Sequence, residues 1–218
     1  MSMRSRLRVP LRIFLRASPV AEPQNTPPGP PAVPVVGLTV YAGDSVAFGY
    51  VPLSAGRVTD LMNEHEDFEF ADACLQGLED GRELTLRTIV VAREEILAVG
   101  VAGPRGDPKR RRRTRPIPVE LRVGPYEVRG NLHVFPGIDP ISSFRTRRPM
   151  VPLTEATIEW EASDGRQIAQ WGTVVVNRLL TEWIGPARRD VRPPRRQLVP
   201  ELEGSGMARG ATPRLLAE

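Results

Sequence analysis

The chain has 218 residues, of which 40% are hydrophobic and 6% aromatic, and it contains 23 prolines and 19 glycines. This composition suits one or two small globular domains flanked by segments that cannot pack, and it excludes collagen-like and disulfide-rich proteins. The single cysteine, Cys74, can form neither an internal disulfide nor a cysteine-based metal site. No apolar run approaches the roughly 20 residues that span a bilayer, and we expect a cytoplasmic protein.

The net charge of +4 is distributed unevenly along the chain. Residues 34–103 carry −8 and residues 118–185 carry −1, whereas residues 1–33 carry +4, residues 104–117 carry +6 and residues 186–218 carry +3. The segments expected to fold are therefore acidic or neutral. The high pI of about 9.9 would suggest a nucleic-acid partner, but this distribution confines such binding to the flexible segments.

The first 34 residues are predicted to be disordered. Four arginines from Arg4 to Arg16 recur every four residues, and leucines recur at the same spacing. On a helix these would form adjacent cationic and apolar stripes, which is typical of a segment that binds a membrane surface. Pro10 would break or kink that helix, and residues 22–34 form a proline-rich spacer that has no capacity to pack.

The central part of the chain shows an internal repeat. Two segments 83 residues apart share one alternation of apolar and polar residues: Val36, Leu38 and Val40, and Val119, Leu121 and Val123. A second strand with an internal glycine follows in each copy, Gly49 or Gly130, and then a short helix-or-loop segment. In the third strand Asp72 matches Glu155, and the offset stays between 81 and 85 throughout.

Each copy predicts about five short antiparallel strands separated by polar turns, which is typical of small barrels. We therefore predict a mostly β chain of two tandem small antiparallel β-barrel modules, Sm-like or SH3-like. The modules cover residues 35–103 and 118–185, joined by a basic linker over 104–117, with disordered ends at 1–34 and 186–218. A unit of this size buries only about 60% of its unfolded surface, so the two modules should pack together.

The outward-pointing residues of the second strand differ between the copies: Val46, Phe48 and Tyr50 in the first, and Glu127, Arg129 and Asn131 in the second. A strand that is apolar on both faces is usually covered on both faces. We therefore predict that the first set forms an interface with the second module or another subunit, with a ligand groove as the alternative. The three tryptophans, all in the second copy, are expected in the core or at an interface.

Several short motifs resemble the Sm-like small barrels. They are a strand–turn–strand with a central glycine, the tetrapeptide Asp-Leu-Met-Asn ending at Asn63, and a last strand ending at Arg93. The layout is also similar to an uncharacterised domain of bacterial proteins. The Sm-like resemblance implies that Asn63 and Arg93 contact RNA around a ring. However, Glu94 and Leu179 replace the family's glycine after the arginine, and acidic residues follow Asn63, so RNA binding by the modules is not expected.

Gly43-Asp44-Ser45 resembles the nucleophile block of Gly-Asp-Ser hydrolases. In that chemistry Ser45 would need a histidine base and an orienting carboxylate, and neither His65 nor His133 is preceded by an acid at the required spacing. The same tripeptide is typical of a hairpin turn. The sequence also has no metal-ligand cluster and no phosphate-binding glycine loop. We expect no enzyme, no cofactor and no small-molecule substrate.

The strongest charge feature is the run formed by Lys109, Arg110, Arg111, Arg112, Arg113 and Arg115. It could contact nucleic acid or anionic lipid, or it could be a solvated linker resting on the acidic first module. No aromatic residue interrupts it to stack on bases. We predict a non-enzymatic interaction or scaffold module with a protein partner or self-association. The alternatives are a nucleic-acid-associated protein using this linker and a membrane-surface protein using the N-terminal segment.

Overall fold

The computed structural model of the protein describes residues 33–102 and 113–187. The predictions made for the N-terminal segment, the C-terminal tail and residues 103–112 of the linker lie outside these described residues. Within the described ranges, no helix is both long and apolar enough to cross a membrane.

The described residues form two halves with the same order of elements. The first half contains β1 (Val35–Tyr41), β2 (Ser45–Pro52), α1 (Val58–Glu64), β3 (Asp67–Gly77), β4 (Glu83–Ala92) and β5 (Ala98–Val101), with a 3₁₀ turn at Arg93–Glu95 before β5. The second half contains β6 (Arg115–Val123), β7 (Tyr126–Val134), α2 (Pro140–Thr146), β8 (Met150–Ala162), β9 (Gly165–Asn177) and β10 (Thr181–Pro186).

Hydrogen-bonded ladders join all ten strands into one antiparallel sheet of order β10-β6-β7-β8-β9-β5-β1-β2-β3-β4. The prediction of a mostly β, antiparallel chain is therefore confirmed. The two halves meet where β5 pairs with β9, with Ala98 opposite Val176 and Val101 opposite Thr173. Within residues 33–102 and 113–187 the ladder ends at β4 and β10 and does not close on itself.

Two separate clusters of buried side chains form the core. The first draws on α1 and every strand of the first half, and it also takes Met150 and Val175 from the second half. The second draws on β6 to β9 and α2, and it takes Tyr41 and three other residues from the first half. Because Val91 of β4 and Val99 of β5 share one cluster although three strands separate them, the sheet of the first half curves around its core.

A β-bulge lies at the same place in each half. The pairing of β2 with β3 shifts between Phe48 and Tyr50, and Asp72 on β3 has a φ of +47°. The pairing of β7 with β8 shifts in the same way, and Glu155 on β8 has a φ of +50°. A non-glycine residue in this conformation is uncommon and is held by its surroundings. Each bulge bends its strand and sharpens the local twist.

The glycine of each second strand is required by the bulge opposite it. A Cβ on Gly49 would lie 3.1 Å from the Cβ of Phe70, and one on Gly130 would lie 2.9 Å from the Cβ of Ala156. Gly49 lies opposite Leu38, whereas Gly130 lies opposite Val119. Val119, rather than Leu121, thus takes the place of Leu38. The alternation in the sequence aligns Leu38 with Leu121 instead, because a shift of two residues leaves an alternating pattern unchanged.

The two helices are held by different means. In α2 the Asp139 carboxylate accepts a hydrogen bond of 2.7 Å from the backbone N–H of Ser142, which lowers the pKa of Asp139, and a proline occupies the first turn. Both features are typical of a helix start. The N-cap residue of α1, Arg57, makes no such bond. The position of α1 depends instead on Leu61 and Met62, which are buried in the first core.

Candidate interaction surfaces

The predicted interface residues of β2 lie on its outer face but in two different surroundings. Val46 is half-buried and packs against the second core, so it belongs to the contact between the halves. Phe48 and Tyr50 point away from both cores, and their rings meet edge to face at 5.3 Å between centroids. Tyr50 is 43% exposed and Val35, on the neighbouring strand, is 63% exposed. We call Val35, Phe48 and Tyr50 the outer aromatic patch.

The floor of this patch is Gly37. It pairs with Tyr50, and a Cβ at this position would lie 3.2 Å from Cζ of Phe48 and 3.4 Å from Cε1 of Tyr50. Both rings therefore contact β1 at Gly37 and pack against each other. On β7 the corresponding outward positions carry Arg129 and Asn131, so only the first half presents aromatic rings there.

Aromatic side chains also fill the contact between the halves. Tyr41 meets the rings of Tyr126 and Trp160 edge to face, at 5.3 and 5.4 Å, and its hydroxyl accepts a hydrogen bond from Nε1 of Trp171. The Tyr126 hydroxyl lies 2.7 Å from the carbonyl oxygen of Ala42, to which it donates. Burial raises the pKa of both tyrosines above the ordinary value. Trp160 and Trp171 thus lie at this interface, as predicted, whereas Trp183 is 44% exposed and the prediction is wrong for it.

Asn63, which the Sm-like resemblance associates with RNA, is bound to the other half of the chain. Its Nδ2 donates to the backbone oxygen of Met150 at 2.9 Å, and its Oδ1 accepts from the backbone N–H of Met150 at 3.0 Å. Arg93 donates to the backbone oxygens of Asn63 and His65. Asn177 makes a second connection by donating to the backbone oxygens of Arg93 and Ile96. Asn63 and Asn177 therefore join the halves, whereas the Arg93 side chain bonds within its own half.

The predicted turn at Ser45 has the geometry of a hairpin. Ala42 donates its backbone N–H to the Ser45 carbonyl oxygen at 2.9 Å, and the Ser45 hydroxyl donates to Asp44 at 3.0 Å. His133 lies on β7 between Thr114 and Thr154, with one ring nitrogen 3.2 and the other 2.8 Å from their hydroxyls. Across residues 33–102 and 113–187, no group of three or more His, Cys, Asp or Glu side chains could hold a metal ion.

A cleft of about 560 Å³ lies between the β3–β4 turn and the β8–β9 hairpin. Its floor includes Glu159, which is 8% exposed and forms ion pairs with Arg129 and Arg166. The hydrogen bond and charge of Glu159 raise the pKa of Arg166. The cleft walls carry Trp160 and further glutamates. Because the buried carboxylate already has two cationic partners, this arrangement stabilises the hairpin.

The predicted basic run is only partly within the described residues. Arg113 is exposed, and Arg115 is exposed and begins β6, where it pairs with Val134. Residues 109–112 of the run lie outside the described ranges. The structure therefore brings no cluster of basic side chains together at this place among the residues it describes.

The sheet has two open edges in the described structure, β4 and β10. On β4, Leu84 is 51% exposed and Val90 is half-buried. On β10, Trp183 is 44% exposed and Ile184 is half-buried against the second core. Exposed strand edges with apolar side chains are templates for pairing with another strand. The repeat pattern of the sequence does not mark these edges, because it does not distinguish β5 and β10 as separate strands.

Comparison with protein-family models, with curated proteins and with solved structures finds no match to this chain.

Proposed function

We propose that this chain is a non-enzymatic protein-interaction module, a scaffold made of two tandem small β-barrel units related by an internal repeat, with the cytoplasm as its expected location. The identical element order of the halves and the paired bulges at Asp72 and Glu155 support the repeat. The barrel description is supported by the first core, which draws on strands from both ends of its half.

The observation that carries the proposal is the outer aromatic patch. Val35 is 63% and Tyr50 43% exposed, and Phe48 packs beside Tyr50 without covering it. Tyrosine is one of the residues on which binding energy concentrates at protein interfaces, because it buries a large rigid surface with a polar end. The polar Asn131 occupies the place of Tyr50 in the second half, so the patch is a property of the first half alone.

The charge around the patch defines the partner. Ala71 of β3 pairs with Tyr50, and the exposed carboxylates of Glu69 and Asp72 lie on either side of Ala71. The whole segment 34–103 carries −8. A complementary partner is a protein surface that presents apolar side chains flanked by lysine or arginine, since opposite potentials favour encounter and specificity.

The polar side chains that could serve catalysis are already engaged in structural bonds, which supports a non-enzymatic role. Asn63 binds the backbone of Met150, and Ser45 and His133 bond with neighbouring side chains. Each of these bonds joins strands, turns or halves. None of the three residues lines the cleft beside Glu159.

The test is site-specific photo-crosslinking in the cells that produce the protein, with a benzophenone amino acid at position 50 or, as the matched control, at position 131. We expect protein adducts from position 50 and none from position 131, and the adducts should disappear when Phe48→Ser is added. Equal labelling at the two positions would contradict the proposal. Nuclease-sensitive adducts would instead favour the nucleic-acid alternative.

A further inference from the structure

The contact between the halves shows how one unit of this fold joins the next. All four residues of β5 are buried, because β1 covers one edge of the strand and β9 the other. Val99 and Val175 face each other and belong to the first core. The ring of Trp171 lies over Gly100, where a Cβ would be 2.4 Å from the indole. The fourth strand of one half thus completes the core of the other.

The two open edges are the counterparts of these joined strands. Val99 pairs with Val40 on β1 just as Ile184 pairs with Leu121 on β6, and Gly100 corresponds in the same register to Gly185. Asp67 pairs with Ala92 just as Met150 pairs with Asn177, so β4 corresponds to β9 and Val90 to Val175. Within the described residues no strand covers the outer edge of β4 or of β10.

We propose that copies of this chain associate head to tail, with β4 of one copy pairing antiparallel with β10 of the next in the register that β9 and β5 use inside the chain. This register places Val90 opposite Ile184 and Val91 opposite Trp183. Val90 then completes the second core of the neighbouring copy, beside the half-buried Ile184. The exposed Trp183 becomes covered. The interface is heterologous, so repetition gives a ring or a linear chain of copies.

The same register brings two opposite charges together. Inside the chain, Asn63 of α1 binds the backbone of Met150, the first residue of β8. The counterpart of Asn63 on α2 is Arg145, and the counterpart of Met150 is Asp67. Both side chains are exposed. Arg145 of one copy therefore lies beside Asp67 of the next and forms an ion pair there.

The contact between copies is weaker than the contact inside the chain. Ala92 stands where Asn177 donates two hydrogen bonds across the internal contact, and Pro186 has no N–H to give to a neighbouring strand. In addition, the contact between copies has the exposed Asp67, paired with Arg145, at the position where the internal contact has the buried Met150. Because exposed ion pairs are screened by salt, the association should weaken as ionic strength rises.

The first experiment measures the mass of the full-length chain in solution by analytical ultracentrifugation, at low and at high salt. We expect concentration-dependent assemblies of two or more copies at low salt. Val90→Lys should raise the dissociation constant more than about tenfold, since it buries a charge at the core of the contact. Thr85→Lys, on the same edge but beyond the paired register, should leave the constant unchanged, and neither variant should lower the melting temperature at a concentration where the chain is monomeric.

The second experiment swaps the charges. Arg145→Asp and Asp67→Arg should each weaken association, and the double variant should restore it to within about threefold, because a close like-charge pair becomes an opposite pair again. Tyr50→Ser should leave the assembly intact, which separates this inference from the outer aromatic patch. A chain that stays monomeric at low salt, an assembly that survives Val90→Lys, or a double variant no better than the single ones would overturn the proposal.

Discussion

The two halves share their elements and differ in which groups meet solvent and which meet each other. The second half starts its helix with its own Asp139 cap and covers its outer face with the ion pairs of Glu159. The first half has no such cap on α1 and ties that helix through Asn63 to Met150 of the other half. Its outer face is aromatic at Tyr50.

This difference shows that two halves with similar folds can differ in how their helices are held and in what their outer faces expose. The second half caps its helix within itself, whereas the first half attaches its helix to the other half through Asn63 and leaves an apolar surface uncovered. The contact between the halves satisfies backbone groups of both, because Met150 bonds to Asn63 while Arg93 and Ile96 accept from Asn177. Substitutions at this contact should strongly lower the free energy of unfolding, and substitutions on the outer aromatic patch should lower it only slightly.

The largest effect should come from high pH, through Tyr41 and Tyr126 at the contact between the halves. Burial raises the pKa of both, so the folded state keeps them neutral. Their contribution to the free energy of unfolding is complete below the ordinary tyrosine pKa of about 10. Above that pH the unfolded chain ionises first, so the contribution is lost progressively as the pH rises towards the raised pKa of the folded state. The free energy of unfolding should fall by about 1.4 kcal/mol per tyrosine between pH 9 and pH 11.

Urea unfolding at these two pH values measures the loss. Tyr41→Phe should remove about half of the pH dependence, since each tyrosine contributes one ionisation. A variant with the same pH dependence as the unmodified chain would show that Tyr41 ionises equally in both states.

The next effect should come from removing the amide that joins the halves. Asn63→Ala leaves the backbone N–H and carbonyl of Met150 without their partner, and unsatisfied buried groups of this kind cost about 1–3 kcal/mol. We expect a loss near 2 kcal/mol in urea unfolding. The matched control is Arg145→Ala on α2, an exposed position where surface substitutions usually change stability by less than about 0.5 kcal/mol. Urea unfolding of both variants is measured at a concentration where the chain is monomeric, since Arg145 belongs to the proposed contact between copies. Equal losses in the two variants would contradict the asymmetry between the halves.

Much of the fold could be predicted because it depends on local patterns. The alternation around Leu38 and Val119, the glycines of the second strands and the turn at Ser45 all act within a few residues. The sequence predicts a linker up to residue 117, yet β6 begins at Arg115 and includes both Pro116 and Pro118. Prolines are tolerated there because the ladder with β10 pairs only Val119–Val123 of β6.

The contacts that define the candidate sites depend on distant residues and could not be predicted in this way. Asn63 and Met150 are 87 residues apart in the chain, and no local pattern marks them as partners. The alternation did identify the outward face of β2. It could not tell that Val46 contacts the second core while Tyr50, on the same face, is exposed, because only the packing of the halves separates them.

A smaller effect is expected for Gly100, the floor beneath Trp171. A Cβ there would lie 2.4 Å from the indole, so Gly100→Ala must displace Trp171 and stretch its hydrogen bond to Tyr41. Overpacking of this kind costs about 1–3 kcal/mol, and we expect the lower part of that range because the tryptophan is only half-buried. Gly56→Ala, with nothing within 4 Å of its Cβ, is the control and should be close to neutral in thermal unfolding. A neutral Gly100→Ala would mean that the contact between the halves is loose at β5.

The smallest effect on stability is expected on the outer aromatic patch. Tyr50 is 43% exposed and packs mainly on Phe48 and Gly37, so Tyr50→Ser should lower the free energy of unfolding by only about 0.5 kcal/mol, as for most surface positions. Asn131→Ser, at the same place in the second half, should have a similarly small effect. The two variants should separate in binding, because losing a central interface tyrosine typically costs about 2 kcal/mol or more. Titration of the partner captured at position 50 should therefore show a loss above about tenfold for Tyr50→Ser and none for Asn131→Ser. A large drop in stability with unchanged binding would make Tyr50 a structural residue and remove the patch as the binding surface.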